Sequence, residues 1–424
     1  MFALLVAASA DVPPNRFVCD EHTVSVIAPA TITRAFSVET EVHWSAKRQF
    51  GLRGADAAAL TAQLYQRYLG EDAYTLNFLD DRLEETGKPG ETLMLDVGCN
   101  HGFYSLWGAA AGLRSQCFEP QAGLLPCLRR AAGKADPEKG SVTVHQLGLS
   151  NQPGRLSLHG SGGTAFLKVE SASAAAEPAA APVEAQSIPI TTLDGFVREK
   201  EPAGARVAML KVDVEGLEMA VLQGGKGLFA AGRVSRLLVE VSAGRWASRS
   251  PVAFDAAIAV LEGLMGRYTA EFWMPRAAAL AVGFDASRNA SALARPPRMS
   301  TGATPPASVR AARHVRRVRA RKTQRQIDRW LDRTVSAAHC PAVLAPLAQG
   351  GELAPSKKLM AAAKLSRGSS LLRWRRRGNL RQEPEVDDGV VWHIRVAPGA
   401  WRAVITELVA QGKDVACDFF FERK

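Results

Sequence analysis

Leu93 to Gly112 reads L-M-L-D-V-G-C-N-H-G-F-Y-S-L-W-G-A-A-A-G. An apolar run ends on an acid, passes through a loop bearing two glycines, and resumes with helical spacing. Strand, tight loop and helix in that order make a β-loop-α unit, where small loop residues let the backbone approach a ligand at the helix N-terminus. A dinucleotide site would carry G-x-G-x-x-G, with the pyrophosphate on the helix N-terminus. Here Gly98 and Gly102 stand four apart, with Asp96 just before them. That arrangement suits a cofactor without phosphate, whose amino group and ribose hydroxyls call for carboxylates and carbonyls.

The next apolar run, R-S-Q-C-F-E-P, ends in Glu119, in the place where an acid can accept both ribose hydroxyls. S-adenosylmethionine meets both requirements. Taken singly, Asp96 reads as a cap of the following helix and Glu119 as a surface acid at a strand end. Together, each on a strand terminus, they favour the cofactor. From Glu91 onward short apolar runs alternate with amphipathic stretches, the pattern of β-α units on a parallel sheet. Strands are expected at 93–97, 114–118, 142–148, 207–213 and 235–241, with helices after the first, second, fourth and fifth. A further constellation, M-L-K-V-D-V-E-G-L-E-M-A-V-L-Q-G-G from Met209 to Gly225, ends a strand with Asp213 and Glu215, turns at Gly216 and starts a helix that stops at Gly224-Gly225.

These segments resemble the FkbM family of S-adenosylmethionine-dependent methyltransferases. The likeness rests on D-V-G-C-N-H-G-F-Y-S-L, on F-E-P, on the I-T-T-L-D of Ile190 to Asp194, and on L-K-V-D-V-E-G-L-E followed by V-L-Q-G. It covers residues 90 to 245 in the family's order. It implies a Rossmann-like methyltransferase fold with a doubly wound, mostly parallel sheet, and methyl transfer, commonly to a hydroxyl oxygen. Carried over by position, Asp96, Gly98, Asn100, Gly102 and Glu119 line the cofactor, while Lys211, Asp213, Glu215 and Glu218 line the reacting side. The chain departs from the family in His101, where an apolar residue is usual, in an Ala-rich insertion, and in a long basic C-terminal part.

For the chemistry, an acceptor alcohol needs a proton acceptor as its oxygen takes the methyl group. If strand 207–213 neighbours strand 93–97, Asp213 and Glu215 face the transferred methyl at the carboxyl ends of the strands. Two positions apart on a regular strand, their side chains start on one face. Glu215, the farther along, is then the acceptor-facing acid or base, and Asp213 positions cofactor or substrate. Lys211 reads either as a structural partner of Glu215 or Glu218, or as a substrate contact. His101 reads as a loop residue beside the cofactor in preference to a base. Gly160 to Ala165, G-S-G-G-T-A, is either a lip over the site or a hairpin turn.

The remaining organisation follows from composition. Residues 1–85 form an N-terminal extension with helical spacing from Ala55 to Leu79, 86–275 the methyltransferase core, 276–388 a basic and partly disordered segment, and 389–424 a strand-helix-strand that completes the core sheet. Residues 169–186 are an Ala/Pro/Glu insertion too poor in bulky side chains to pack. Between Arg295 and Arg381 stand 21 Lys and Arg against 3 Asp and Glu, a local +18 that leaves −7 for the rest of a +11 chain. The basic character therefore belongs to one segment, helical around Val315 to Leu331, which suits an anionic surface or a nucleic acid, or is a solvated insertion. That leaves two function classes: O-methylation of a hydroxyl on a glycan, lipid or small molecule, or a nucleic-acid-associated methyltransferase or RNA-binding protein. Two tryptophans, Trp330 and Trp374, offer little for base stacking. The six cysteines lack a CxxC pair and read mostly as reduced core residues, and no metal site is expected. No run approaches the ~18 apolar residues that span a bilayer. The opening M-F-A-L-L-V-A-A-S-A resembles a signal segment but lacks a basic start, which favours the cytoplasm over the secretory pathway.

Overall fold

The computed structural model describes residues 23–28, 34–41, 62, 65, 75–80, 82–83, 92–160, 165–168, 186–275, 340, 344–348, 391–412 and 415–424. They fall into two compact units, one ending at Gln146 and the other beginning at Leu147. The protein is mixed α/β. The basic stretch from Val315 to Leu331 and nearly all of the Ala-rich insertion lie outside the described residues.

In the first unit β1 (Thr23–Ile27) and β2 (Ser37–Glu41) pair as an antiparallel ribbon. β3 (Leu93–Val97), β4 (Arg114–Phe118) and β5 (Ser141–His145) are parallel, with Leu93 opposite Arg114 and Arg114 opposite Ser141. Every residue of β3 is buried. That explains why its sequence shows a continuous apolar run instead of alternation, since a parallel strand is covered on both faces. α1 (Phe103–Ala110) follows the loop at once, and α2 (Leu125–Ala132) opens with Pro126, whose fixed φ suits a first turn. Leu124, Leu125 and Leu128 pack on Cys99 and Cys117.

The N-terminal extension is tied into this unit by buried charge. Glu39 on β2 pairs with Lys134 and, at 3.3 Å, with Arg130 of α2. Residues 75–80 are helical, and there Asp80 accepts the Trp107 indole N–H at 2.8 Å and the Arg34 Nε–H at 2.8 Å.

In the second unit β6 (Gly148–Leu149), β7 (Gly154–His159), β8 (Phe166–Lys168) and β9 (Gln186–Thr191) form a small sheet in the order β6-β9-β7-β8. The single strand expected at 142–148 is therefore two: β5 stops at His145, and Gly148-Leu149 pairs with β9 instead. β7 and β8 pair antiparallel; of the stretch Gly160 to Ala165 between them, residues 161–164 lie outside the described residues. The I-T-T-L-D stretch caps helices. Thr192 accepts the Gly195 N–H and starts α3 (Leu193–Lys200). Asp194 accepts the N–H groups of Gly227 and Leu228 at 2.7 and 2.9 Å, in the first turn of α5 (Lys226–Ala230), which follows α4 (Glu218–Gln223).

β10 (Val207–Val212) runs parallel to β11 (Val234–Val241). α6 (Ala243–Arg249) and α7 (Phe254–Met265) lead to β12 (Tyr268–Pro275). After α8 (Leu344–Ala348), β13 (Val391–Arg395) pairs with β12. α9 (Trp401–Gln411) then leads to β14 (Cys417–Arg423), antiparallel to both β11 and β12. Its F-F-F is fully buried, with Trp401 edge-on to Phe419 at 4.9 Å and stacked on Phe421 at 5.7 Å. No helix among the described residues is long and apolar enough to cross a membrane.

The cysteines correct the reading from sequence. Cys99 is bonded to Cys117 and Cys340 to Cys417, while Cys127 is a buried thiol on α2. The first pair forms because adjacent parallel strands bring the two Cα atoms to 5.5 Å, a closeness that spacing along the chain does not reveal. The second closes a loop of 77 residues. By loop-closure entropy, replacing Cys340 and Cys417 with serine should lower unfolding free energy by about 3 to 5 kcal/mol. Urea titration checks it, and an unchanged midpoint would show that the bond constrains nothing.

Candidate active site

In the first unit the site is built on the carboxyl ends of β3 and β4. The loop Gly98–Gly102 turns through three left-handed residues, with φ 81° at Gly98, 50° at Asn100 and 81° at Gly102. Asparagine tolerates that region better than most side chains. At Gly102 a Cβ would also lie 2.8 Å from Leu128 Cδ2, so glycine alone fits. The Cys99 N–H donates to the Phe118 carbonyl at 3.1 Å. Glu119, 3% exposed, accepts the Asn100 N–H at 3.0 Å and the Gln121 N–H at 2.8 Å. It is not a surface acid. Burial pushes its pKa up to about 7 against those two N–H bonds, and Asp96 adds to the rise.

Asp96 is buried in β3 and accepts the Ser105 hydroxyl of α1 at 2.6 Å, so Ser105 joins the site residues that the sequence reading missed. His101 is buried, and burial lowers its pKa to about 4. It is neutral at physiological pH and sits within the loop. These residues fit a neutral-loop, acid-lined cofactor site: the buried Asn100 Oδ1 is an acceptor with no hydrogen-bond partner among the described residues, available to an ammonium or hydroxyl donor.

In the second unit the acids stand just past β10. The strand ends at Val212, and Glu215 adopts φ 59° with Gly216 at 117°. The regular-strand expectation that Asp213 and Glu215 start on one face therefore fails, because the chain has already turned. A left-handed glutamate costs of order 1 kcal/mol or more. It is held there by Arg245 and Arg249 of α6: Glu215 pairs with Arg245 and, at 3.5 Å, with Arg249. The Glu215 carbonyl also accepts from Arg249 at 2.7 Å. Arg249 lies over the Phe166 ring at 3.7 Å. A Cβ at Gly216 would meet both arginine side chains within 3.3 Å.

Lys211 pairs with Asp213 at 2.9 Å, not with Glu215 or Glu218 as the sequence suggested. Burial opposes the charge on Asp213, but Lys211, a hydrogen bond with Glu240 and the nearby Arg245 leave its pKa below the ordinary aspartate value. Glu240, near the end of β11, is pushed well above the ordinary value by burial and by the Asp213 and Asp418 carboxylates. Within the pair the proton is thus held by Glu240 in preference to Asp213. The sequence reading passed over Glu240, although L-L-V-E-V-S shows an acid at the carboxyl end of an apolar strand. Asp213, Glu215 and Glu240 bring carboxylate oxygens within 4.8 Å of one another, and Lys211, Arg245 and Arg249 supply the opposing charge. Glu218 is fully buried and accepts the Gly216 N–H at 2.7 Å and the Trp246 indole N–H at 3.0 Å. Burial pushes it to about 7 against those bonds.

Residues 96–267 match the family model described as Methyltransferase FkbM domain. No curated protein matches the chain.

Glu119 and Glu218 give a pH dependence of stability. Both are raised from 4.5 to about 7 in the folded chain, so between those values the folded state holds protons that the unfolded state has released. Their stabilisation is fully present below about pH 4.5 and is lost as pH rises through about 7, on the order of 3 kcal/mol per group. Denaturant titrations across that window should show falling stability, with a smaller fall in Glu218→Gln. A rise over the same window would contradict the buried, protonated state of these acids.

Proposed function

We infer that residues 96–267, an FkbM-family methyltransferase domain, bind S-adenosylmethionine on a Rossmann-like framework and methylate a hydroxyl oxygen of a glycan, lipid or small molecule. Glu119 carries the reading: a buried acid at a strand end, with one oxygen on Asn100 N–H and the other on Gln121 N–H, is a preformed acceptor for a ribose diol. Asn100 Oδ1 is suited to receive the amino group. The cofactor supplies an activated methyl on a sulfonium, so the protein's own work is to orient an acceptor oxygen in line, exclude water and take a proton.

We assign the proton acceptor to Asp213. Lys211 fixes its carboxylate at 2.9 Å, and Glu240 shares a hydrogen bond with the same group. The acceptor hydroxyl gives its proton to Asp213 as its oxygen forms the new bond, and the pair then releases one proton to solvent. Glu215, held between two guanidiniums, shapes the acceptor side by anchoring Arg245 and Arg249. Orientation of this kind contributes up to roughly 7 to 11 kcal/mol of barrier lowering.

Mass spectrometry with isotopically labelled cofactor over glycans, lipids and hydroxylated small molecules tests the activity. Absence of any methylated product, with cofactor bound, would remove the hydroxyl assignment. Calorimetry tests the cofactor. Glu119→Gln should weaken S-adenosylmethionine binding by about 1.5 to 3 kcal/mol, and wild-type affinity should rise with pH through about 7 as Glu119 ionises, while the variant stays flat. With the acceptor in hand, Asp213→Asn should lower turnover by roughly 10²- to 10⁴-fold, and Glu240→Gln, which still donates to Asp213, by far less. Equal loss in both variants would move the base to Glu240.

A further inference from the structure

The loop Gly98–Gly102 is fastened from within the β-α unit by the Cys99–Cys117 bond, by the Gly98 and Cys99 N–H groups on the Phe118 carbonyl, and by the Glu119 contact to Asn100 N–H. A further fastening comes from the N-terminal extension. The Tyr65 hydroxyl meets His101 Nε2 at 2.5 Å. The two rings lie edge to face at 4.8 Å, and Tyr65 also packs against Phe103, the first residue of α1, at 5.8 Å. Tyr65 thus grips both sides of Gly102. It stands 31 positions before the first residue of the family match, in the N-terminal extension.

The chemistry of the contact is specific. His101 is neutral, held so by burial, and a neutral imidazole offers one acceptor nitrogen and one donor. The phenol is the better proton donor, so Tyr65 O–H donates to Nε2 and the ring proton sits on Nδ1. Loop residues in left-handed conformations persist where the surroundings over-determine them, and Asn100 immediately precedes His101. Fixing the imidazole therefore fixes the peptide that carries the Asn100 N–H donor and its unpartnered Oδ1.

We propose that Tyr65 is a positioning residue of the cofactor loop: its hydrogen bond to His101 keeps Asn100 and Glu119 in binding geometry, so the N-terminal extension is part of the cofactor site. The proposal rests on the cofactor reading above. Because it concerns loop geometry first, it is also open to a test that needs no ligand.

Two measurements on the full chain decide it. Tyr65→Phe keeps both ring contacts and removes one hydroxyl. In ligand-free protein, hydrogen exchange of the amides from Gly98 to Gly102 should speed up at least tenfold in Tyr65→Phe, while amides of β3 and β4 keep their protection. By calorimetry with S-adenosylhomocysteine, Tyr65→Phe should bind five- to tenfold more weakly. In the Glu119→Gln background the same change should cost less than twofold, because the geometry it protects has already lost its acceptor. A merely structural role would weaken both backgrounds alike, or speed exchange across the whole unit, and either result overturns the proposal. If the wild type does not bind S-adenosylhomocysteine, the cofactor reading falls. Unchanged exchange in Tyr65→Phe overturns the positioning role independently of that.

Discussion

The Glu119 carboxylate joins two pieces of backbone, the N–H of Asn100 after β3 and the N–H of Gln121 after β4. Two strand ends are thereby fixed against one acid. The acid is 3% exposed, so its charge is costly, and burial outweighs the two N–H bonds and lifts its pKa to about 7. The left-handed turn of the loop, the disulfide from Cys99 and the neutral His101 all surround this contact. Each makes the loop less free to leave the geometry that Glu119 requires.

A different balance governs the acids after β10. Three cations, Lys211, Arg245 and Arg249, stand among Asp213, Glu215 and Glu240. Glu215 is consumed by two arginines and accepts backbone strain in return for the ion pair. Asp213, with Lys211 and Glu240 as neighbours, is held below the ordinary aspartate range while Glu240 is pushed above the ordinary glutamate value, as when paired carboxylates are pushed apart by their surroundings. Under the proposed function that division separates a group that shapes the site from one that exchanges a proton.

The framework was legible because burial on both faces leaves a plain trace in sequence. V-A-M-L-K-V and L-M-L-D-V read as parallel strands, and both are wholly buried. The buried acids Asp96 and Glu119 were legible for the same reason, as charges that interrupt apolar runs at their carboxyl ends. Pairings were not. Lys211 pairs with Asp213, two positions along the chain. Glu215 met arginines 30 and 34 positions away on α6. Cys99 found Cys117 through strand adjacency, and the missing CxxC motif carried no information about it. The I-T-T-L-D motif looked like part of a site, yet Thr192 and Asp194 spend their oxygens on helix N-termini. Tyr65 was beyond reach, since a tyrosine on an amphipathic stretch gives no sign of the histidine it will meet.

The raised pKa of Glu119 also says what the loop costs to use. Folding favours the protonated acid, whereas two donor hydroxyls favour the carboxylate, so under the proposed function a ribose has to draw the site across that difference. Near pH 7 the acid is half ionised and the cost is below about 1 kcal/mol; two pH units lower it is about 3 kcal/mol. A site with an ordinary glutamate would pay nothing at either pH but would also be solvated, and its hydrogen bonds to the ligand would compete with water. Under the proposed function, burying the acid and accepting a neutral-range pKa exchanges binding at low pH for stronger bonds at neutral pH. The Asn100 and Gln121 N–H donors are what keep that pKa from rising further.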